Sequence, residues 1–590
     1  MKVILSGNEA IARGAYEAGV TVATAYPGTP STEILENLAT YPGVNCSWCP
    51  NEKVALEVAA GASLGGARVL VAMKHVGLNV AADPFMTLAY TGIEGGLILV
   101  CADDPGMFSS QNEQDNRYYA RMAKVPMLEP ADSEEARLMV KEALDISEKF
   151  DTPVLLRTTT RVSHSRSIVN VEDEPSRAIR PYSKKAAKYV MLPAFARLRH
   201  EEVEKRRKRL IDFATTHPMN IIEKGSSELG IITAGVSYHY AKEAFPEASF
   251  LKLGLSYPLS PELIKDFASQ VKKIYMVEEL EPLLENDIKA MGIKVHGKDL
   301  LPRTGELRPE IVAQGWQKNI WQGVNAPATE KLPGRPPLFC PGCGHRGALY
   351  TLKRLKLTVT GDIGCYTLGA LPPLEAMDSC ICMGASVGTA FGMEKADPSA
   401  WQKTVAVIGD STFLHSGITA LMDVVYNKGK TTVIILDNGT TAMTGHQDHP
   451  ATGQTLQKEP TYAVDLEALV RSLGVSRVRV ENPLQLDAFR QAVKEELSVP
   501  EPSVIIARYP CALKQRLQNE PPLVVKENCI GCKACLGIGC PALSLEETGP
   551  AEDQGLTVAI DEDICNGCNL CTQLCRYGAL QPGEGKGETK

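Results

Sequence analysis

A carboxylate and an amide, Asp410 and Asn438, follow two apolar runs that are neighbours along the chain. The runs, Thr404–Ile408 and Thr431–Leu436, have the length of buried strands, and a helical stretch separates them. A strand–helix–strand unit brings the carboxyl ends of its parallel strands to one sheet edge, where such sheets bind ligands. Asp410, Asn438 and the backbone carbonyl of Thr440 would then offer Mg²⁺ three oxygen ligands, leaving room for phosphate oxygens and water. The alternative is an ordinary turn in which Asp410 caps a helix.

Eight of the 17 cysteines lie near the C-terminus in two similar runs. The pattern is typical of modules with two [4Fe-4S] clusters, in which the fourth cysteine of each run ligates the other cluster. The predicted ligands are Cys529, Cys532, Cys535 and Cys575 for cluster one, and Cys565, Cys568, Cys571 and Cys540 for cluster two. Two departures from the pattern remove no ligand: an x₄ spacing before Cys540, and Arg576 in the place of a proline. Zinc fits the spacing of the runs poorly.

The composition places these residues in an acidic, globular chain. Its 590 residues are enough for roughly three to five domains. A net charge of -8 and a pI of about 5.8 argue against nucleic acid as the main partner. The N-terminal apolar stretch is too short for a signal peptide, and no apolar run is long enough to span a bilayer. We therefore expect a cytoplasmic protein without membrane association, in which the cysteines bind metal and form no disulfides.

The elements that must position these residues alternate between strands and helices, which predicts several doubly wound α/β domains before the cysteine runs. A highly charged segment between the first two domains has acids before bases at helical spacing, typical of a solvated connecting helix. The predicted division is 1–165 (first α/β domain), 166–225 (charged connecting segment), 226–330 (second α/β domain), 335–515 (third α/β domain), 520–582 (two-cluster module) and 583–590 (disordered tail).

Three loops of the first domain resemble the pyrimidine-binding domain of the 2-oxoacid:ferredoxin oxidoreductases, which use thiamine diphosphate (ThDP). These loops are the turn Tyr26–Glu33, the helix start at Glu52 and the polar stretch Asp103–Arg117. The resemblance implies that Glu52 protonates N1′ of the aminopyrimidine ring and that Thr29 contacts the substrate. It also implies that the second domain, 226–330, is similar to the C-terminal domain of transketolase. For Glu52 alone, an acid that complements a helix dipole is the simpler interpretation.

Several other residues in these segments have more than one interpretation. Arg117 is a candidate for binding a substrate carboxylate, and it fits a surface salt bridge equally well. The pair Cys46 and Cys49 has the spacing of a redox or metal half-site, but buried structural thiols are the favoured interpretation. Cys380 and Cys382 are also expected to be buried thiols.

The Asp410 segment resembles the magnesium-diphosphate fingerprint of ThDP enzymes. Gly409 lets the backbone approach a diphosphate closely, while Ser411 and Asp437 are tolerated variants of the commoner glycine and asparagine. The resemblance also implies that His415 takes part in catalysis. The residues implied to bind the cofactor are Glu52, Gly342, Gly344, His345, Gly409, Asp410, Ser411 and Asn438.

The third domain begins with a Cys-Pro-Gly-Cys-Gly-His loop, residues 340–345, that resembles a loop beside the cofactor in this family. In short-chain members the two cysteines of this loop bind a [4Fe-4S] cluster. Cys365 and Cys511 fit the places of the other two ligands, so Cys340, Cys343, Cys365 and Cys511 are the implied ligands of a third, proximal cluster. A tetrahedral zinc site is the chemical alternative. The remaining alternative is a loop that only shapes the ThDP site.

The domain order as a whole resembles the subgroup that oxidises indolepyruvate and similar aryl 2-oxo acids. It implies oxidative decarboxylation to acyl-CoA and CO₂ with ThDP, Mg²⁺ and coenzyme A, and electron exit through two or three [4Fe-4S] clusters to soluble ferredoxin. It also implies a separate beta subunit that supplies the family's gamma-type domain, in an assembly such as (αβ)₂. The alternatives are a pyruvate or 2-oxoglutarate oxidoreductase subunit, a non-redox ThDP decarboxylase, and an electron-transfer subunit whose catalytic site lies in its partner.

Overall fold

The computed structural model describes residues 1–172, 184–317, 336–548 and 555–583. The chain divides into two compact units, Met1–Thr329 and Glu330–Lys590. The tail predicted to be disordered is 583–590, and all of it after residue 583 lies outside the described residues. Among the described residues, no helix combines the length and apolar composition needed to cross a membrane.

The first unit is built from strands and helices that alternate along most of its length. Its strands are β1 (Lys2–Ser6), β2 (Val22–Ala25), β3 (Asn45–Trp48), β4 (Val69–Lys74), β5 (Leu97–Asp103), β6 (Met127–Leu128), β7 (Val154–Thr159), β8 (Arg166–Asn170), β9 (Asn220–Glu223), β10 (Ser226–Ala234), β11 (Ala248–Leu253), β12 (Leu255–Tyr257) and β13 (Ile274–Val277). Its helices are α1 (Gly7–Glu17), α2 (Thr32–Leu38), α3 (Glu52–Leu64), α4 (His75–Val80), α5 (Ala82–Thr91), α6 (Arg117–Ala123), α7 (Ser133–Phe150), α8 (Thr160–His164), α9 (Ala186–Tyr189), α10 (Pro193–Thr215), α11 (Ser237–Ala244), α12 (Pro261–Ser269), α13 (Leu283–Ala290) and α14 (Pro309–Gly315).

Two sheets organise this unit. The larger has the order β12-β6-β7-β5-β4-β2-β3 and is parallel except for β12 at its edge. The smaller has the order β13-β10-β11-β9, with β9 antiparallel. Every residue of β4, β5 and β7 is buried, which explains why these strands are continuous apolar runs in the sequence.

Strand pairing crosses the boundaries predicted inside this unit. β8 follows residue 165 and pairs with β1 at the N-terminus, while β9 precedes residue 226 and pairs with β11. β12, from the predicted second domain, forms an edge of the larger sheet. The two α/β parts therefore belong to one compact unit. The predicted connecting segment contributes a strand near its start, β8, and a strand near its end, β9.

The second unit holds the Asp410 segment and both cysteine runs. Its strands are β14 (Thr358–Gly361), β15 (Ser379–Cys380), β16 (Thr404–Gly409), β17 (Thr432–Asp437), β18 (Arg477–Glu481), β19 (Ser503–Arg508), β20 (Leu523–Val524), β21 (Leu543–Thr548), β22 (Gly555–Ile560) and β23 (Leu580–Gln581). Its helices are α15 (Gly344–Arg354), α16 (Ala385–Ala396), α17 (Asp410–Thr412), α18 (Ile418–Tyr426), α19 (Leu466–Ser472) and α20 (Leu486–Glu496).

A six-stranded parallel sheet, β15-β14-β16-β17-β19-β18, forms the centre of this unit. The cysteine runs lie in a small module with two antiparallel strand pairs, β20–β23 and β21–β22. A shared apolar cluster that includes Leu484, Leu486, Ile538 and Leu570 packs the module against the start of α20. The larger domain therefore holds the small module in a defined position.

Candidate active site

The predicted strand–helix–strand unit around Asp410 is confirmed. Asp410 begins α17 directly after β16, and Asn438 follows β17, which pairs in parallel with β16. The buried Asp410 carboxylate accepts hydrogen bonds from the backbone N–H groups of Ser411 and Gly439, each at 2.8 Å. The Nε2 atom of His449 lies 3.3 Å from Oδ2 of Asp410. Local backbone donors and one distant histidine thus fix the orientation of this carboxylate.

Electrostatics keep Asp410 charged. Burial would raise the pKa of Asp410, but His449 and the two backbone N–H groups hold this pKa below its ordinary value. Burial and the neighbouring charge of Asp410 raise the pKa of Asp437, which forms an ion pair with Arg508 at 2.7 Å. The second carboxylate at this sheet edge is therefore balanced by its own cation.

The remaining candidate magnesium ligands surround the same turn. Oδ1 of Asn438 accepts a hydrogen bond from the backbone N–H of Thr440 (3.1 Å), and Oγ of Ser411 lies 2.8 Å from Oγ1 of Thr441. Gly439 has a φ of +68°, and a methyl group added there would meet nothing within 4 Å. A charged carboxylate, an amide oxygen and open space above the turn suit Mg²⁺ carrying a diphosphate, so the residues fit the predicted group.

His345 lies beside this turn, and His415 lies in the helical segment that follows Asp410. Burial lowers the pKa of His345 to about 4, and its Nε2 lies 3.3 Å from Nδ2 of Asn438, so a neutral imidazole accepts from the amide. His415 is buried in a π-helical turn, Phe413–Gly417, between α17 and α18. Such turns are rare and occur often at functional sites. The catalytic role of His415 stays a prediction.

The four proposed proximal thiols converge on the same sheet edge. Cys340 and Cys343 precede α15, Cys365 follows β14, and Cys511 follows β19. Burial raises the pKa of Cys365 to about 11, with Cys340 and Cys511 adding to the shift. Burial raises the pKa of Cys343 to about 12, and both Cys340 and Cys365 act on this thiol. Residues far apart in the sequence are thus electrostatic neighbours.

The backbone of Cys511, one of the proposed proximal ligands, is hydrogen-bonded to the turn that carries Asn438. The backbone N–H of Cys511 donates to the carbonyl of Asn438 at 3.1 Å. Asn438 therefore belongs to both groups, because its side chain faces the proposed metal and its carbonyl anchors a thiol segment.

The C-terminal cysteines group as their spacing predicts. Burial raises the pKa of Cys535, and the neighbouring Cys532, Cys529 and Cys575 add to this shift. Burial raises the pKa values of Cys565, Cys568 and Cys571, and the neighbouring Cys540 adds to each of these shifts. These four cysteines also line a small cavity. The fourth cysteine of each run thus lies with the other run, as the crossed pattern requires.

Grouped thiolates can bind either one zinc ion or an iron–sulfur cluster. In the part of the chain that the structure describes, no three His, Cys, Asp or Glu side chains approach closely enough to hold one metal ion. Four thiolates on one zinc would lie roughly 4 Å apart, because each Zn–S bond is about 2.3 Å long. The choice of an iron–sulfur cluster over zinc therefore rests on the spacing of the cysteines in the sequence.

A buried arginine that the sequence did not single out connects two of these groups. Arg346 donates to the carbonyls of Phe339 and Cys340 in the proximal loop, and to those of Ile538 and Gly539 just before Cys540. The carbonyls of Ile538 and Gly539 belong to the x₄ stretch that departs from the usual spacing. The additional residue therefore belongs to the stretch that contacts Arg346.

The glycines of the proximal loop have packing roles in the structure. A methyl group at Gly342 would overlap the side chain of Asn566, and one at Gly344 would lie 2.8 Å from Cβ of Tyr509. Gly342 also has a φ of +70°, which favours glycine. Their predicted part in cofactor binding stays a prediction.

In the first unit, Glu52 is held at the start of α3. Asn51 caps this helix by accepting from the N–H of Val54 at 2.9 Å, and the Glu52 side chain is buried. A methyl group at Gly77 would lie 2.5 Å from Oε1 of Glu52, so the missing side chain at position 77 makes room for the acid. Gly77 is a functional candidate that only the tertiary contact reveals.

The turn that carries Thr29 lies beside a lysine that sequence reasoning also missed. The Thr29 carbonyl accepts from Oγ of Ser109 at 3.3 Å, and Nζ of Lys74 donates to the carbonyl of Ser109 at 2.7 Å. Burial lowers the pKa of Lys74 to about 8, although the nearby charge of Asp104 opposes this shift. The predicted substrate turn thus has a buried cation within its own unit.

Both interpretations of Arg117 are wrong, because this residue is buried and internally paired. Its guanidinium forms ion pairs with Asp115 (2.6 Å) and Glu278 (2.5 Å) and donates to the carbonyls of Glu279 and Glu281. With its side chain only 1% exposed, it is neither a surface residue nor available to a substrate carboxylate.

The predicted burial is correct for Cys46 and Cys49 and wrong for Cys380 and Cys382. Cys46 and Cys49 are buried, and burial raises their pKa values to about 12 and about 11, as expected for structural thiols. The prediction for Cys380 and Cys382 is wrong, because both are exposed. Cys380 belongs to β15, a two-residue strand at the edge of its sheet, and Cys382 lies just beyond it.

Comparison with known families gives three matches along the chain. Residues 362–507 match the family described as thiamine pyrophosphate enzyme, C-terminal TPP binding domain. Residues 13–216 match pyruvate flavodoxin/ferredoxin oxidoreductase, thiamine diP-bdg, and residues 558–581 match the 4Fe-4S binding domain. Fold, thiol groups and matches together define a ThDP- and iron–sulfur-dependent oxidoreductase that oxidises 2-oxo acids with ferredoxin as the acceptor.

Individual relatives narrow this class. The chain is 40% identical to the indolepyruvate oxidoreductase subunit IorA of Methanothermobacter marburgensis, over 99% of this chain and 98% of that protein. The IorA subunit of Archaeoglobus fulgidus gives the same identity and coverage. The 2-oxoglutarate synthase subunit KorA of Archaeoglobus fulgidus is 26% identical, over 51% of this chain and 96% of that protein. The chain belongs to the family of the indolepyruvate oxidoreductase subunit IorA.

Proposed function

We propose that this chain catalyses the oxidative decarboxylation of aryl 2-oxo acids of the indolepyruvate type, with coenzyme A as the acyl acceptor. The IorA relatives support the substrate class, because they match nearly the full chain at 40% identity while the KorA relative matches half of it at 26%. Those relatives are named as subunits, which supports a partner beta subunit. We propose an assembly such as (αβ)₂ with that partner.

The observation that carries the proposal is the double role of Asn438. Its amide side chain faces the proposed Mg²⁺ turn, and its carbonyl accepts from the N–H of Cys511, a proposed proximal ligand. An arrangement of this kind suits a reaction in which electrons leave the cofactor for an adjacent cluster.

Each residue has one assigned task. When bound, ThDP supplies the carbanion chemistry that removes CO₂ from a 2-oxo acid. Asp410, Asn438 and the Thr440 carbonyl would hold Mg²⁺, and Gly439 leaves room for the diphosphate. Glu52 would hold a proton at N1′ of the aminopyrimidine.

The remaining groups serve the substrate and the electrons. Thr29 would contact the 2-oxo acid, and His415 would hold or move a proton near it. The three cysteine groups would hold three [4Fe-4S] clusters: one proximal cluster, cluster two beside Arg346, and cluster one on Cys529, Cys532, Cys535 and Cys575.

Turnover measurements on the co-expressed two-subunit complex test this proposal. Under anaerobic conditions with coenzyme A and ferredoxin, we expect indolepyruvate and phenylpyruvate to give kcat/KM values at least about tenfold above pyruvate and 2-oxoglutarate. Equal or higher values for the small acids would favour the 2-oxoglutarate alternative. Carbon dioxide release without ferredoxin reduction would instead indicate a non-redox decarboxylase.

Replacing Glu52 by glutamine tests the activating acid. We expect CoA-dependent viologen reduction to fall by about 10²-fold or more, because general acid–base groups contribute about 10²–10⁴-fold. Glu57→Gln is the matched control, since Glu57 lies exposed on the same helix in an ion pair with Lys53. A near-normal rate for Glu52→Gln, with cluster absorbance intact, would exclude the assigned role.

A further inference from the structure

A groove of about 810 Å³ lies on the second unit beside Cys532. Three separate parts of the unit build it: the end of α15, the start of α20, and both cysteine runs. We call it the basic groove, because five of its lining side chains are cations. They are Lys353, Arg354, Arg490, Lys533 and Arg576.

The charge of the groove contrasts with that of the chain, whose net charge is -8. Arg490 pairs with Asp487 at 2.7 Å, and Lys353 pairs with Glu375 at 3.2 Å. Arg354, Lys533 and Arg576 have no carboxylate partner within the residues that the structure describes. The chain thus gathers unbalanced positive charge in one concave surface.

The basic groove lies beside the proposed ligands of cluster one. Among the eight cysteines of the two runs, Cys532 alone is exposed. Lys533 follows Cys532 directly, and Arg576 follows Cys575, another cluster-one thiol. Arg576 also stands where the usual cysteine pattern has proline, so this departure adds a cation to the groove.

We propose that the basic groove is the docking surface for an acidic one-electron carrier protein, which takes electrons from cluster one across Cys532. Each docking moves one electron from the reduced cluster to the oxidised carrier, so the two electrons of one 2-oxo acid leave on two carriers. The proposal rests on the proposed function for the source of those electrons. Electron-transfer complexes have small, charge-steered interfaces, which a groove of this kind suits.

The double variant Arg354→Glu/Arg490→Glu tests the groove without touching residues next to a cluster ligand. With a purified acidic ferredoxin that carries a single [4Fe-4S] cluster, at low ionic strength, we expect the KM for ferredoxin to rise at least about tenfold. Turnover with a small viologen dye and the KM for coenzyme A should stay unchanged. Raising the salt concentration should reduce the difference in ferredoxin KM between the double variant and the unmodified protein, because salt screens exposed charges.

Lys403→Glu is the control, since Lys403 is an exposed cation of the same unit outside the groove. An unchanged ferredoxin KM in the double variant would overturn the proposal. An increase in the KM for coenzyme A would also overturn it, and would assign the groove to the phosphates of that molecule.

A direct binding measurement tests the basic groove independently of the proposed function. Calorimetric titration of oxidised ferredoxin into the complex needs no substrate and no turnover. Weaker binding in the double variant supports the groove even if no 2-oxo acid is oxidised, and equal binding rejects the groove even if turnover is normal.

Discussion

Replacing Arg346 by methionine should loosen the small cysteine module from the domain that carries Asp410. The guanidinium donates to Ile538 and Gly539 on the module side and to Phe339 and Cys340 on the domain side. A hydrogen bond from a charged donor contributes about 1.5–3 kcal/mol, so the two module-side bonds could contribute about 3–6 kcal/mol.

The cost of burying the Arg346 charge reduces the net contribution of these hydrogen bonds. Burial lowers the pKa of Arg346, which means that the folded protein already bears a cost for holding the charge inside. Cys340, Cys343, Cys540 and Cys568 are the neighbours that oppose this shift when ionised. We therefore take about 3 kcal/mol as the net loss, a hundredfold change in the docking equilibrium, and expect a larger loss in cluster-loaded protein than in iron-free protein.

Iron content and unfolding temperature measure the effect. After anaerobic purification, Arg346→Met should lose iron from cluster two, whose cavity Arg346 lines, and its cluster absorbance should bleach at a lower temperature. Arg346→Lys should be intermediate, because one ammonium group keeps the charge but cannot serve carbonyls on both sides. Arg354→Met, which removes an exposed arginine from the same helix, is the control. Equal iron content and bleaching temperature in Arg346→Met and Arg354→Met would refute the reasoning.

Three further expectations follow from the same geometry. Asp410→Ala should weaken Mg²⁺-dependent ThDP binding at least about tenfold, measured by calorimetry, while Asp423→Ala, at an exposed position of α18, should not; unchanged affinity in Asp410→Ala would remove Asp410 from the site. Iron analysis should give about twelve iron atoms per chain, and Cys511→Ser should reduce this to about eight; eight in the unmodified protein would eliminate the proximal cluster. Arg117→Met should lower the free energy of unfolding by about 3–5 kcal/mol, measured by chemical denaturation, because it leaves Asp115 and Glu278 buried without their cation. A loss below about 1 kcal/mol would contradict that account.

Short-range patterns gave the more accurate predictions. The cysteine runs predicted which C-terminal thiols are neighbours, because the spacing within each run and the crossed fourth cysteine form a recognisable pattern. Their role as cluster ligands stays a prediction. The apolar runs before Asp410 and Asn438 predicted adjacent parallel strands, because strand length and burial are visible in the sequence.

Predictions that depended on whether a side chain is buried or exposed were less accurate. Arg117 has the sequence context of a loop arginine, yet the fold buries it against Glu278, which is 161 residues away. Cys380 and Cys382 have an apolar context, yet they lie in and beside a short edge strand and are exposed. Whether a side chain meets solvent depends on what packs over it, and one segment of sequence does not contain that information.

The sequence by itself determined the chemistry available to this protein: oxygen ligands after two strands, an acid at a helix start, and cysteine runs with the spacing of iron–sulfur ligands. Only the tertiary structure decided which of these groups are neighbours. It joins Cys511 to Asn438, makes room for Glu52 at Gly77, and ties the proximal loop to the x₄ stretch through Arg346. The physical reason is that residue type and spacing set what a side chain can bind, whereas sheet order and packing set the distances between segments far apart in the chain.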